Sequence, residues 1–202
     1  MAIVINGSGT VTGLAVGGLP DGTVDDGTVA SGIASSKLTG ALPAISGASL
    51  TGFVKGQMPS GMVIQAVTAV QTATTTLSST TGSWVTTGLT ANITPQNTSS
   101  KVLVMVTGSQ YNDTNDQTAG ATIFRGSTNL GHADQGFMPT YINWGNGGGD
   151  DLQVACSATY LDSPSSSSAV TYAVYAKADK STYKWNGIRT AHCTITLLEI
   201  AG

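Results

Sequence analysis

The stretch Leu152-Gln153-Val154-Ala155-Cys156-Ser157-Ala158-Thr159-Tyr160 places Leu152, Val154, Cys156, Ala158 and Tyr160 at every second position. Val170, Tyr172, Val174 and Ala176 repeat the pattern one turn of sequence later. A period of two is that of a strand with one face buried, because successive side chains point to opposite sides of the pleat. Working outward from this pair, Val/Ile/Thr/Tyr-rich runs bounded by Gly, Pro, Asn, Asp or Ser predict further strands. They fall at Met62–Val70, Ser83–Ile93, Lys101–Gln110, Ala119–Arg125 and Arg189–Ile200, beside Leu152–Tyr160 and Ala169–Lys177. A further short strand is open near Asn129–Ala133, and 66–77 reads as partly irregular. Arg125-Gly126-Ser127-Thr128 reads as a hairpin turn. No segment carries a helical stripe. The expected fold class is all-β, a jelly-roll-like β-sandwich over residues 58–202.

The chain has 202 residues, of which 9% are charged, with a formal net charge of -3. Eight basic residues against eleven acidic ones leave no basic footprint for nucleic acid. The longest apolar runs, such as Val102-Leu103-Val104-Met105-Val106, are too short to span a bilayer as a helix. The opening Met1-Ala2-Ile3-Val4-Ile5-Asn6-Gly7 carries no Lys or Arg and does not read as a secretory signal. So few charged groups leave little material for acid–base catalysis. A structural or binding protein made in a cytoplasm is expected, with no enzyme activity, no cofactor and no metal.

The composition shifts near Phe53. All twelve aromatic residues lie at or after that position, while residues 1–52 hold eleven glycines. Small side chains offer too little apolar area to offset the cost of ordering such a backbone alone. Yet branched aliphatics recur through it, among them Ile3, Ile5, Leu14, Leu19, Leu38, Leu42, Ile45 and Leu50. Gly-Thr-Val occurs three times, and Leu-Thr-Gly at 38–40 and 50–52. Such repeats suit an arm that buries its aliphatics against copies of itself. Residues 1–57 are therefore read as an arm or shaft. Val54-Lys55-Gly56-Gln57-Met58-Pro59-Ser60-Gly61 reads as a junction leading into a head at 58–202.

Candidate chemistry is sparse. His132 and His192 are the only histidines, and no serine sits in a Gly-x-Ser-x-Gly elbow. His132-Ala133-Asp134 would share a face if it formed a strand. Asp150-Asp151 follows three glycines and reads as solvated loop charge, not as carboxylates facing each other across a sugar. Asp113-Thr114-Asn115-Asp116 lacks the ligand spacing of a calcium loop and reads as a polar turn. Cys156 and Cys193 are expected to face the core as small hydrophobes, and a disulfide between them would require adjacent strands.

The most chemical surface is aromatic. Tyr141-Ile142-Asn143-Trp144 runs into a glycine-rich loop that ends at Asp150, and Tyr183-Lys184-Trp185-Asn186-Gly187 precedes the last strand. Aromatic rings beside amides and carboxylates can stack on sugars while bonding their hydroxyls. Tyr141, Asn143, Trp144, Asp150, Tyr183 and Trp185 are thus the candidate glycan-binding residues. The alternative is that these rings cover the core or pack between copies.

The opening Met1–Gly9, Leu19-Pro20-Asp21-Gly22-Thr23-Val24 and Lys37–Gly52 resemble tail-fibre and related appendage proteins of tailed bacteriophages. The closing Cys193-Thr194-Ile195-Thr196-Leu197-Leu198-Glu199-Ile200 is similar to the last strand of fibre-tip and virion-surface β-domains. The resemblance implies a homotrimer with an N-terminal anchor and a β-sandwich head on the virion surface. Its partners would be other virion proteins, and a bacterial surface polysaccharide at the head. A chain this short also suits a capsid decoration protein or head spike whose arm clamps capsomers.

Overall fold

The computed structural model describes residues 58–77, 82–112, 117–142, 152–180, 183–187 and 192–202. The chain divides between Thr51 and Gly52 into two units, and the described residues all belong to the second. The aliphatics from Ile3 to Leu50, the turn at Asp113–Asp116 and the segment holding Asn143, Trp144, Asp150 and Asp151 lie outside the described residues.

All the described regular structure is β: β1 (Val63–Gln71), β2 (Thr75–Leu77), β3 (Val85–Ile93), β4 (Lys101–Asn112), β5 (Gln117–Arg125), β6 (Thr128–Asn129), β7 (Met138–Ile142), β8 (Leu152–Asp162), β9 (Val170–Ala178), β10 (Tyr183–Trp185) and β11 (Cys193–Ile200). Two antiparallel sheets form. The first runs β1-β11-β4, with β8 on the other edge of β4 and β10 and β2 extending it. The second runs β3-β9-β5, with β7 and β6 along the free edge of β5. Strands pair first with last: β1 with β11, β3 with β9, β4 with β8, β5 with β7. That nested pairing is the jelly-roll form of the β-sandwich.

Each predicted strand is present with its ends moved by a few residues. The hairpin turn stands as read, with Arg125 opposite Thr128 and Gly126 at φ +56°. Three strands carried no sequence signal. β2 and β10 are three residues each, too short for a period of two to show. β7 contains Pro139, which marks a strand that pairs on one side only, here with β5. The segment near Asn129–Ala133 is strand only through Thr128–Asn129 and then turns.

The core lies between the sheets. Val102, Val104 and Val106 of β4 and Ile195 and Leu197 of β11 face Ile123 of β5 and Tyr172 and Val174 of β9. One side of the sandwich is stitched shut by side chains of the first sheet. Gln71 Nε2 and Thr75 Oγ1 both donate to the Thr87 carbonyl, at 3.0 and 2.6 Å. Thr87 sits beside Gly88, whose φ of +88° makes the irregularity in β3 that presents this carbonyl. Further along, Gln65 Nε2 donates to Thr94 O and to Glu199 Oε2, while Glu199 Oε1 accepts from the Gln96 amide. The fully buried Glu199 carboxylate thereby joins β11 to the segment after β3.

On the opposite side, one end is closed by a charged cluster. Asp162, at the end of β8, accepts from Arg125 Nη1 through both oxygens at 2.8 and 2.9 Å. It also accepts from the Tyr172 hydroxyl at 2.7 Å. Burial, then the bond to Asp162, holds the Tyr172 hydroxyl far above its ordinary range. This cluster joins the first sheet to both β5 and β9 of the second.

Candidate functional site

At the other end of that side, β7 and β8 stand apart and leave a groove of about 550 Å³. Its walls are Phe137–Tyr141 from the second sheet and Leu152, Val154, Cys156 and Ser157 from the first. Gln110 of β4 forms the floor. Its Nε2 donates to Met138 O at 3.1 Å, and its Oε1 accepts from Thr140 Oγ1, also at 3.1 Å. A buried amide satisfied on both atoms fixes where β7 stands relative to β4. Tyr141 lies at the rim, 60% exposed, the most exposed of the large hydrophobic residues described. The groove thus offers an aromatic ring, a run of aliphatic wall, and a hydroxyl at Thr140.

The groove lies at one end of the head. Leu77, Tyr183, Asn112 and Leu152 form a row across the first sheet there, and Gln117 pairs with Ile142 in the second. Met58, where the described chain begins, belongs to the other end. There Gly61 donates to Ala201 O, Ala201 donates to Met62 O, and Val63 pairs with Ile200. Gly61–Val63 and the groove therefore occupy opposite ends of the sandwich.

The six sequence-selected residues separate. Tyr141 is at the groove. Tyr183 and Trp185 are not surface residues; both are fully buried. The reason is the register of β10, which pairs with β4 and β2 so that residues 183 and 185 point inward and Lys184 points out. Lys184 Nζ stands 4.7 Å from the centre of the Tyr111 ring. The Trp185 indole lies on Gly108, where a Cβ would come within 2.6 Å of its Cη2 and 3.2 Å of Cys193 Sγ. Glycine at 108 makes room for the ring.

The same site settles the thiols. Gly108 pairs with Cys156 on β8, and on its other side Thr107 pairs with Thr194, next to Cys193. One strand therefore separates the cysteines, about 10 Å between backbones at ordinary strand spacing, beyond disulfide reach of about 7 Å. Both are free. Cys193 faces the core beside Ile195 and Leu197, as expected, while Cys156 is only partly buried at the groove wall. Burial pushes the Cys156 thiol up to about 11, partly offset by its bond to Gln110, so it is a poor nucleophile near neutrality.

His132 is in an exposed turn instead of a strand, where its Nδ1 accepts from the amides of Asp134 and Gln135. A ring nitrogen used this way organises the turn and is not positioned as a base. His192 is exposed just before β11. Among the described residues no cluster of His, Cys, Asp and Glu could hold a metal ion.

Near the groove end, the Tyr183 hydroxyl, Trp185 Nε1 and both Asn112 amide atoms are buried with no hydrogen-bond partner among the described residues. Burial holds the Tyr183 hydroxyl well above its ordinary range. Tyr183→Phe is expected to leave stability unchanged or raise it by about 1 kcal/mol, because it removes a hydroxyl that gains no bond on folding. Chemical denaturation of the two chains checks this, and a loss above about 2 kcal/mol would mean the hydroxyl has a partner.

No known protein family matches this chain. No curated protein matches it either. Among solved structures, one of infectious bursal disease virus, Gx strain, is similar at 12% identity and a TM-score of 0.34, over 68% of this chain and 37% of that one.

The site residues that sequence reading missed are Gln110, Thr140 and Val154, and the inter-sheet carboxylates Asp162 and Glu199. Only a polar residue on the buried phase of a strand, as Gln110 is on β4, signals such a role in the sequence.

Proposed function

We propose that the chain is a structural protein of a tailed-phage virion, a homotrimer anchored by residues 1–57, whose head at 58–202 attaches to a bacterial surface glycan. The observation that supports attachment is Tyr141, exposed at the rim of the β7–β8 groove, at the end of the head opposite Met58. A ring exposed over an aliphatic wall suits the apolar face of a sugar, and the Thr140 hydroxyl, which donates to Gln110, is placed to accept from a sugar hydroxyl. Asn143, Trp144 and Asp150 follow Tyr141 in the chain and stay in the proposed binding set. Tyr183 and Trp185 leave it. Three weak sites on one trimer would gain avidity through effective concentration.

The deciding experiment labels intact virions with an antibody against residues 58–202, read by electron microscopy. Label on the tail supports attachment. Label over the capsid replaces it with a decoration role, and no label on virions sinks the virion reading. On the attachment reading, Tyr141→Ala in the full chain lowers adsorption to host cells about tenfold or more with the melting temperature unchanged. Unaltered adsorption would remove the groove from the site.

A further inference from the structure

The outer faces of the two sheets differ. That of the β3-β9-β5 sheet is covered by its own chain. Trp84 reaches across to donate to Ala133 O at 2.8 Å, Gly136 packs against Thr122 and the Trp84 ring, and Phe124 stacks on Tyr175 at 4.1 Å. Lys177 lies over Trp84. The outer face of the β1-β11-β4-β8 sheet has no such cover among the described residues.

Its register lays a row of aliphatic side chains across four strands: Ala66 beside Leu198, Leu198 beside Leu103, Leu103 beside Leu161. Leu161 is 49% exposed. The two next rows hold only Thr, Ser, Val and Met, with Met105 near the centre and Val70 at the margin, 55% exposed. Threonines bond one another across strands there, Thr68 to Thr196 at 3.1 Å and Thr107 to Thr194 at 2.7 Å, so their hydroxyls are paired within the face. Twelve positions in three rows carry no charge, and Lys101 stands just beyond them, opposite Ile200.

We infer that this face is where the heads of separate copies of the chain meet. Identical copies present identical charges, so a surface that meets itself must be neutral or self-complementary. This face is neutral in a chain whose net charge is -3. An anionic polymer or lipid surface would find no cations on it. The three rows, four strands by about six residues, project to roughly 400 Å², about half of the ~800 Å² per partner of a stable interface, so flanking residues would supply the rest. The head would then contribute to association independently of residues 1–57.

The test is the mass of the full chain by sedimentation at micromolar concentration. The wild-type chain is expected at a multiple of 20.3 kDa. Leu103→Glu, at the centre of the face, and Leu161→Glu, at its exposed margin, are each expected to weaken association at least about tenfold. Asn92→Glu, on an exposed strand position of the other sheet, should leave the mass as it is. Folding is followed by circular dichroism, and Leu161→Glu decides should Leu103→Glu unfold. A monomeric wild-type chain overturns the inference. So does an unchanged mass in folded variants, which would leave association to residues 1–57 and the attachment reading intact.

Discussion

Trp185→Ala is expected to lower the unfolding free energy by about 3–5 kcal/mol, and the melting temperature by roughly 10 °C. The ring is fully buried, packed on Gly108, and surrounded by core side chains from both sheets. Its removal leaves a void that a sheet cannot close, because β4 is pinned on one edge by β8 and on the other by β10 and β11. Thermal unfolding of the full chain checks this. The outcome also separates two readings of one residue. A surface platform for a sugar would lose binding and keep its stability, whereas a core ring loses stability first. A melting temperature within about 2 °C of wild type would return Trp185 to the surface.

Asp162→Ala is the second large effect. Two donors on the other sheet point at this carboxylate, and the substitution removes the acceptor of the Tyr172 hydroxyl and leaves Arg125 Nη1 only the long contact to Ser163 O at 3.4 Å. Breaking a buried ion pair on one side costs about 3–5 kcal/mol. Arg125 is 30% exposed and can turn to water, which brings the expected loss to about 2–3 kcal/mol. Asp162→Asn should lose less, since an amide oxygen still accepts from Tyr172. A measured loss below about 0.5 kcal/mol for Asp162→Ala would mean that the cluster does not join the sheets.

Period-two alternation alone carried much of the fold. In Leu152–Tyr160 and Val170–Ala176 the buried phase is written in residue type, because the core accepts only apolar side chains and water accepts the rest. The strands containing those stretches, and the hairpin at Arg125–Thr128, were legible for that reason. The short strands were not. Tyr183-Lys184-Trp185 holds two rings on one phase, and a three-residue run does not say which phase faces water. Its neighbours β4 and β2, distant in sequence, made that choice.

The candidate site divides the same way. Tyr141 was recognisable as a chemical residue beside a glycine-rich run. The groove that gives it a wall was not, because Leu152, Val154 and Gln110 reach it only through the pairing of β8 with β4 and the stand-off of β7. The carboxylates went unread for a related reason. Asp162 and Glu199 fall on the buried phase of β8 and β11, the same signal as Gln110, but their role as inter-sheet acceptors shows only once Arg125, Tyr172, Gln65 and Gln96 are brought to them.

By itself, then, the sequence determined an all-β head with its strands nearly in place, through local alternation and turn chemistry. Tertiary structure alone decided which strands are neighbours, which aromatics are buried, and which sheet face has neither charge in its central rows nor cover among the described residues. The last two depend on register between distant strands, because a shift of one residue moves every side chain of a strand to the opposite face.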